Sequence, residues 1–209
     1  MRIPFRRRPS LPPLAVLLLN SGGPDSRIAG ALIKEDWGPD TAIVSLYLDF
    51  NPRNGKRAEP AARRTARLLG AREHHSLAFP HQGAWWFENR SGYWANPYLA
   101  LWVHVVGAQY ALHRGIEHVV SGFRGDASGA EFPELLQKLL VMTGPGNDRE
   151  RCPILHLPLA PLAPSYEVTV AEAKRLSVGL ADTWSCNRYP SDGTCKKCRA
   201  RERLGLPVS

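Results

Sequence analysis

Short unbroken apolar runs recur along the chain, each followed by a turn and then by a stretch with apolar residues at helical spacing. Residues 14–19 (LAVLLL) form the first run. Cut off by Asn20-Ser21-Gly22-Gly23, they read as a buried strand feeding a tight loop, and a helix is expected over residues 26–35. After a Gly38-Pro39-Asp40 turn, residues 41–50 (TAIVSLYLDF) are β-branched and apolar and predict a second strand ending on Asp49. Residues 56–69 place alanine and leucine at helical spacing, with Arg63, Arg64 and Arg67 on a solvated face; Pro60 suits that helix only near its start. A third strand is expected over residues 74–79, a strongly apolar helix buried against the sheet over 97–114, and a fourth strand over 117–123. A helix over 131–142, a strand over 152–159 and a helix over 165–178, capped by Ser165, complete the series. His104 and His113 read as core or capping residues rather than ligands. Strands and helices alternate as about five βα units, the pattern of an α/β fold with a doubly wound parallel sheet of Rossmann-like type.

One stretch interrupts the alternation. Residues 80–96 (PHQGAWWFENRSGYWAN) are too aromatic for disorder and long for a connection, so they read as a flap whose rings stack on a purine-like base. Packing of those rings on the domain or on an oligomeric partner is an equal reading.

The first loop carries the chemistry. In SGGPDS the glycines let the backbone approach an oxyanion closely, and the helix that follows presents its positive end, so Ser21, Gly22, Gly23 and Ser26 are expected to cradle phosphate. The loop is not of the Walker type, because it lacks the lysine and is too short. It matches the SGGxDS signature of the PP-loop ATP pyrophosphatases, a resemblance that implies cleavage of ATP between its α- and β-phosphates. In doubly wound sheets ligands sit at the carboxyl ends of strands, so Asp49 should face the same crevice as Ser21.

The chain has 209 residues, enough for one good-sized domain, and its content of 44% hydrophobic and 22% charged residues is that of an ordinary globular protein. An excess of 27 Lys and Arg over 19 Asp and Glu gives a net charge of +8, suited to nucleotides or RNA but spread along the sequence. The basic start before an apolar run does not read as a signal peptide: the run is short, follows Pro12 and Pro13, and passes directly into the glycine loop. No segment approaches the length of a membrane span. The expected organisation is therefore a flexible basic arm over residues 1–13, a nucleotide-binding α/β domain over 14–180 and a small cysteine-containing segment over 181–209, in a cytoplasmic protein.

Three of the four cysteines lie in that last segment. Cys195 and Cys198 at C-x-x-C spacing, with Cys186 upstream, can converge on a tetrahedral zinc, one ligand short of a closed site.

Over nearly its full length the chain resembles the 7-cyano-7-deazaguanine synthase family. The resemblance rests on SGGPDS, on YLDF followed by Arg57-Ala58-Glu59, on a Gly-x-x-x-Asp-x-Ser-Gly element at Gly122 to Gly129, and on the closing TWSC…CxxCRxR segment. It implies an ATP-dependent carbon–nitrogen ligase that adenylates the carboxylate of 7-carboxy-7-deazaguanine and uses ammonia to form the nitrile, on the route to queuosine-type tRNA bases. It also implies Asp25 with Mg²⁺ or in orienting the loop, Asp126 and Ser128 at the acceptor substrate, and a zinc near the C-terminus that the family holds on four cysteines. The family's PGRN is replaced by a stretch with Leu99 and Ala100 in place of Arg and Asn, and its SGYPDCR by SGAEFPE. At the zinc, one alignment puts Arg201 in place of the fourth cysteine; the other makes Cys198 the fourth and loses the second near Asp192, and either Asp192 or the distant Cys152 would be the replacement ligand. The departures keep two further readings open: a divergent paralogue acting on a tRNA base or a protein, and a non-catalytic nucleotide- or partner-binding protein. A homodimer is compatible with each of them, and no membrane partner is expected.

Overall fold

The computed structural model describes residues 15–49, 52–79, 87–88, 94–95, 99–124, 132–143, 152–162, 165–186 and 193–207. The arm over 1–13, most of the aromatic stretch, Asp126, Ser128 and Asp192 lie outside them.

Five parallel strands form the central sheet: β1 (Ala15–Leu19), β2 (Ala42–Asp49), β3 (Glu73–Ala78), β6 (His118–Ser121) and β7 (Ile154–His156), in the order β3-β2-β1-β6-β7. Within the aromatic stretch, β4 (Phe87–Glu88) and β5 (Trp94–Ala95) pair antiparallel as a separate ribbon. The helices are α1 (Pro24–Trp37), α2 (Pro52–Leu68), α3 (Leu99–Arg114), α4 (Phe132–Thr143), α5 (Tyr166–Arg175) and α6 (Lys196–Arg203). From β1 the chain winds outward to β3, then returns across the sheet to lay β6 beside β1, in register Leu17 to Val119 and Leu19 to Ser121. That reversal makes the crevice beyond the carboxyl ends of β1 and β6 the topological switch point.

The first strand is buried at every position because it is the centre of the sheet, covered on both faces. Val16 and Leu18 point to one side, where Ala29 and Ile33 of α1, Ile43 and Leu69 close over them. Leu17 and Leu19 point to the other and meet Ala111, Ile116 and Val119. Helix α1 is braced from outside by α5, through Ile28 against Leu159, Val170 and Ala173.

Four expectations need correction. Helix α1 starts at Pro24, with Gly23 as its cap residue, so Pro24, Asp25 and Ser26 are its first turn rather than loop. Pro60 lies well inside α2, not at its start. An interior proline costs about 3 kcal/mol; the apolar face of Ala58, Ala61, Ala62, Ala66 and Leu69, buried against the sheet and the first loop, offsets it. Helix α3 is buried on one stripe only, through His104, Gly107, Ala108 and Ala111, and leaves Trp102 40% exposed. Helix α6 was not expected at all. The capping of α5 is as expected: Val168 N–H donates to Ser165 Oγ at 3.1 Å.

Candidate active site

The turn after β1 owes its shape to two residues. Gly22 has φ +76°, and a Cβ there would lie 2.4 Å from the Ala58 carbonyl oxygen and 2.9 Å from the Ala62 nitrogen, so only glycine lets the turn sit on α2. Asn20 is the strut. Its Nδ2 donates to Ser45 Oγ at 2.9 Å and to the Ala62 carbonyl at 2.8 Å, while its Oδ1 accepts from Gly22 N–H at 3.0 Å. Ser21 and Ser26 are joined hydroxyl to hydroxyl at 3.0 Å, and Ser26 Oγ also accepts from Ser21 N–H at 3.1 Å. Ser21 Oγ accepts from Gly23 N–H at 3.3 Å. The amides expected to line the turn are thus met by the loop's own side chains. An anion entering here would have to exchange with these two hydroxyls, at the positive end of a fourteen-residue helix.

Opposite the turn, β6 ends at Ser121, and Gly122 and Phe123 follow it. A Cβ on Gly122 would lie 2.5 Å from the carbonyl carbon of Asp25, so this glycine brings the end of β6 against the first turn of α1. Arg124 follows. Its side chain is 6% exposed and its Nη2 lies 2.9 Å from Asp25 Oδ1, with Nε at 3.3 Å from the same oxygen. The guanidinium also donates to Thr169 Oγ1 and to the Ser165 carbonyl, which ties the start of α5 to the start of α1. Asp49 ends β2 at the same end of the sheet, where its carbonyl accepts from Phe79 N–H at 3.0 Å. Burial, and after it the charges of Asp49 and Glu59, push the Tyr47 phenol far up, so Tyr47 is a neutral donor in this neighbourhood.

The C-terminal segment comes back to the same turn. Trp184 N–H donates to the Gly22 carbonyl at 2.8 Å, and Arg57 stacks over the Trp184 ring at 5.3 Å. Two residues on, Cys186 meets Cys195 and Cys198, all buried, their sulfurs within 4.8 Å of one another. Cys195 caps α6 by accepting from Cys198 N–H at 3.3 Å. Burial, reinforced by the neighbouring Cys195 and Cys186 thiols, pushes Cys198 up to about 12. Tetrahedral zinc with Zn–S near 2.3 Å needs sulfurs about 3.8 Å apart, a small adjustment of this cluster. Three thiolates equally suit an iron–sulfur cluster. Cys152 is not a fourth member: its sulfur faces Gln137 and the Pro153 carbonyl beside β7.

Two fully buried arginines hold this segment down. Arg27 donates to Thr65 Oγ1 at 3.0 Å and to the Gly179 carbonyl and Asp182 at 2.5 Å. Arg201 bonds the Leu180, Ala181 and Pro207 carbonyls and Thr183 Oγ1. The Arg201 guanidinium is therefore a strut of the fold. Beside Trp184, Lys56, Arg57, Pro60, Arg64 and Asp182 border an open groove of about 390 Å³. His104 is a core residue, as expected; its Nδ1 lies 2.6 Å from the Ala100 carbonyl and burial keeps it neutral.

The structure thus brings Ser21, Gly22, Gly23, Asp25 and Ser26 together at the switch point and assembles Cys186, Cys195 and Cys198 directly behind them. Asn20, Arg124, Thr169 and Trp184 were not anticipated. Asn20 had a signal in its position before a glycine turn, where an amide side chain bonds the backbone two residues on; the other three meet the turn only through the tertiary fold.

The 7-cyano-7-deazaguanine synthase of Gloeothece citriformis is 30% identical over 216 residues, covering 91% of this chain and 90% of that protein. The chain belongs to the 7-cyano-7-deazaguanine synthase family. A second synthase, from Synechococcus sp. strain CC9902, is 29% identical over 90% of both chains. No family model matches the sequence. Among solved structures, the U34-tRNA thiolase NcsA from Methanococcus maripaludis, described with its [4Fe-4S] cluster, superposes with a TM-score of 0.57 at 15% identity. It covers 90% of this chain, which spans 63% of that one, and the likeness is one of fold. The synthase relatives support an enzyme. No helix among the described residues is long and apolar enough to cross a membrane.

Proposed function

We propose that this chain is an ATP-dependent carbon–nitrogen ligase that adenylates 7-carboxy-7-deazaguanine and uses ammonia to form 7-cyano-7-deazaguanine. The observation that carries the reading is the SGGPDS turn at the switch point, sharply bent at Gly22, with Ser21 and Ser26 paired at the start of α1. The pyrophosphate end of ATP lies in this turn, accepting from the Ser21 and Ser26 hydroxyls and the adjoining amides, with the helix end favouring the negative charge. The acceptor carboxylate attacks the α-phosphorus, the bond to the bridging oxygen breaks, and pyrophosphate leaves. Ammonia then displaces AMP from the acyl-adenylate to give an amide, and a second activation with loss of the amide oxygen gives the nitrile. Asp25 at the first turn would hold Mg²⁺, which neutralises charge on the leaving pyrophosphate. Asp49 borders the nucleotide, and Asp126 and Ser128 meet the acceptor in this reading. Cys186, Cys195 and Cys198 would hold zinc, whose role is to fix the segment that carries Trp184.

A second reading keeps adenylation and changes the acceptor to a tRNA base or a protein. It is favoured by Leu99 and Ala100 standing where the family has Arg and Asn, and by the groove bordered by Lys56, Arg57 and Arg64. Pyrophosphate release from ATP is measured with ammonium and with 7-carboxy-7-deazaguanine present or omitted. Release that depends on the deazapurine, with the nitrile identified by mass, is the expected result. Release that depends on tRNA or protein instead moves the conclusion to the second reading, and no release under any condition removes both.

A further inference from the structure

We propose that Arg124 is a positioning residue that sets Asp25 for a metal–pyrophosphate ligand. The inference rests on the reading of the Ser21 to Ser26 turn as a pyrophosphate site. The side-chain hydrogen bonds of Asp25 among the described residues fall on one oxygen: Arg124 Nη2 at 2.9 Å, Arg124 Nε at 3.3 Å and Thr169 Oγ1 at 3.4 Å all reach Oδ1. Oδ2 has no hydrogen bond among the described residues, and the Asp25 side chain is 41% exposed while Arg124 is 6% exposed. One end of the carboxylate is clamped from the buried side and the other is presented at the first turn of α1, directly after the glycines.

That division of labour is what a hard-cation site on a phosphate loop requires. Mg²⁺ is held by one or two carboxylate oxygens together with substrate phosphate oxygens, and a single fixed Oδ2 supplies one such ligand. The guanidinium holds the carboxylate by Oδ1 without entering the turn. Arg124 is itself anchored by Thr169 and by the Ser165 carbonyl, so the carboxylate is oriented from α5 and β6 together. SGGPDS has no lysine, and in this arrangement the cation of the loop is borrowed from the end of β6.

The test is calorimetric titration of inorganic pyrophosphate into the full chain, with and without Mg²⁺. Wild type binds pyrophosphate more tightly when Mg²⁺ is present. In Arg124→Lys and Arg124→Met the Mg²⁺-dependent gain falls by about 10- to 100-fold, the usual cost of losing a partner that orients a metal ligand. Affinity for metal-free pyrophosphate stays within about fivefold of wild type, as expected for loss of a charge that does not touch the ligand. Asp25→Asn, which keeps Oδ1 for Arg124 and replaces the free oxygen by an amide, loses the same gain. Equal losses with and without Mg²⁺ would mean that Arg124 contacts phosphate itself, and an unchanged Mg²⁺ gain would mean that it does not act on Asp25; either result overturns the proposal. Where the Arg124 variants fail to fold, Thr169→Val decides, since it removes the hydroxyl that accepts from the Arg124 guanidinium and should lose part of the gain; an undiminished gain overturns the proposal. Failure of wild type to bind pyrophosphate in either condition strikes the loop reading instead.

Discussion

The main-chain N–H of Trp184 donates to the carbonyl of Gly22 across 2.8 Å, so the segment leading to the thiol cluster is fastened to the middle of the glycine turn. Gly22 is also pressed from below by α2, through the Ala58 carbonyl and the Ala62 nitrogen. The turn is held between two elements that are distant in sequence and has no room to relax.

Gly22→Ala therefore strains the backbone and collides with it at once. A non-glycine residue at positive φ costs about 1 to 3 kcal/mol, and the clash is with main chain that cannot rotate away. At roughly 2 to 4 °C per kcal/mol for a chain of this size, thermal unfolding should drop by about 2 to 12 °C. Pyrophosphate binding, measured by titration, should be lost beyond the loss that stability explains. A variant with wild-type unfolding temperature and affinity would show that the turn is looser than its contacts.

The cysteine cluster makes a prediction with a definite sign in pH. Burial and the neighbouring thiols raise Cys198, so the metal-free cluster keeps this thiol protonated at neutral pH, and a metal must displace the proton. Metal affinity, read by competition with a chelator, should rise steadily from pH 6 to pH 8. In the metal-free protein the unfolded chain ionises this thiol at about pH 8.5 whereas the folded one does not. Stability present below that value is then lost as pH rises toward 12. Because Cys186 lies two residues beyond Trp184, chelation should also weaken pyrophosphate binding. Chelation that removes a metal and leaves both properties unchanged would separate the cluster from the turn.

Much of this layout is legible in the chain. The run Ala15 to Leu19 has no polar residue to interrupt it, and a central strand covered on both faces is the one place such a run fits, so β1 and the turn after it follow from the sequence. The cysteines were legible by spacing. What escapes is whatever depends on partners remote in sequence. Arg124 has no local reason to meet Asp25, 99 positions earlier; the reversal of strand order brings them together. Pro60 argues locally for a helix start, yet the alanine face of α2 overrides it. Arg27 and Arg201 look like surface charges in a basic chain and are fully buried. Helix α6 hides in a segment read for its metal ligands, although Lys, Arg, Ala and Glu are all good helix formers.

Arg27→Met tests how the C-terminal segment is fastened. Burial pushes the Asp182 carboxyl up, but the hydrogen bond and charge of Arg27, with a backbone hydrogen bond and the charge of Arg64, together outweigh it and hold it below its ordinary value. Removing the guanidinium takes a donor from Thr65, from the Gly179 carbonyl and from Asp182, which keeps Arg64 at 3.5 Å, a loss on the order of 3 kcal/mol for hydrogen bonds from a charged group. Chemical denaturation should show that loss with an unchanged slope. Arg27→Lys reaches fewer of the partners and should recover only part of it. A Met variant as stable as wild type would mean that water or a rearranged tail satisfies those acceptors.

Glu73 gives the acid limb of the stability profile. The hydrogen bond with His75 and those from Arg114 together outweigh burial and hold the Glu73 carboxyl below its usual range. Arg114 Nη2 lies 2.6 Å from Glu73 Oε2, so the last turn of α3 is tied to the first residue of β3. A depressed carboxylate contributes stability that is fully present above its unfolded value near pH 4.5 and disappears as pH falls through the lower folded value. Glu73→Gln should therefore cost on the order of 1 kcal/mol at pH 7, as for a partly buried, charge-assisted pair. The gap between the two proteins should stay constant from pH 7 down to about pH 5 and close below it. A gap that persists undiminished at pH 3 would mean that Glu73 acts through packing and not through its charge.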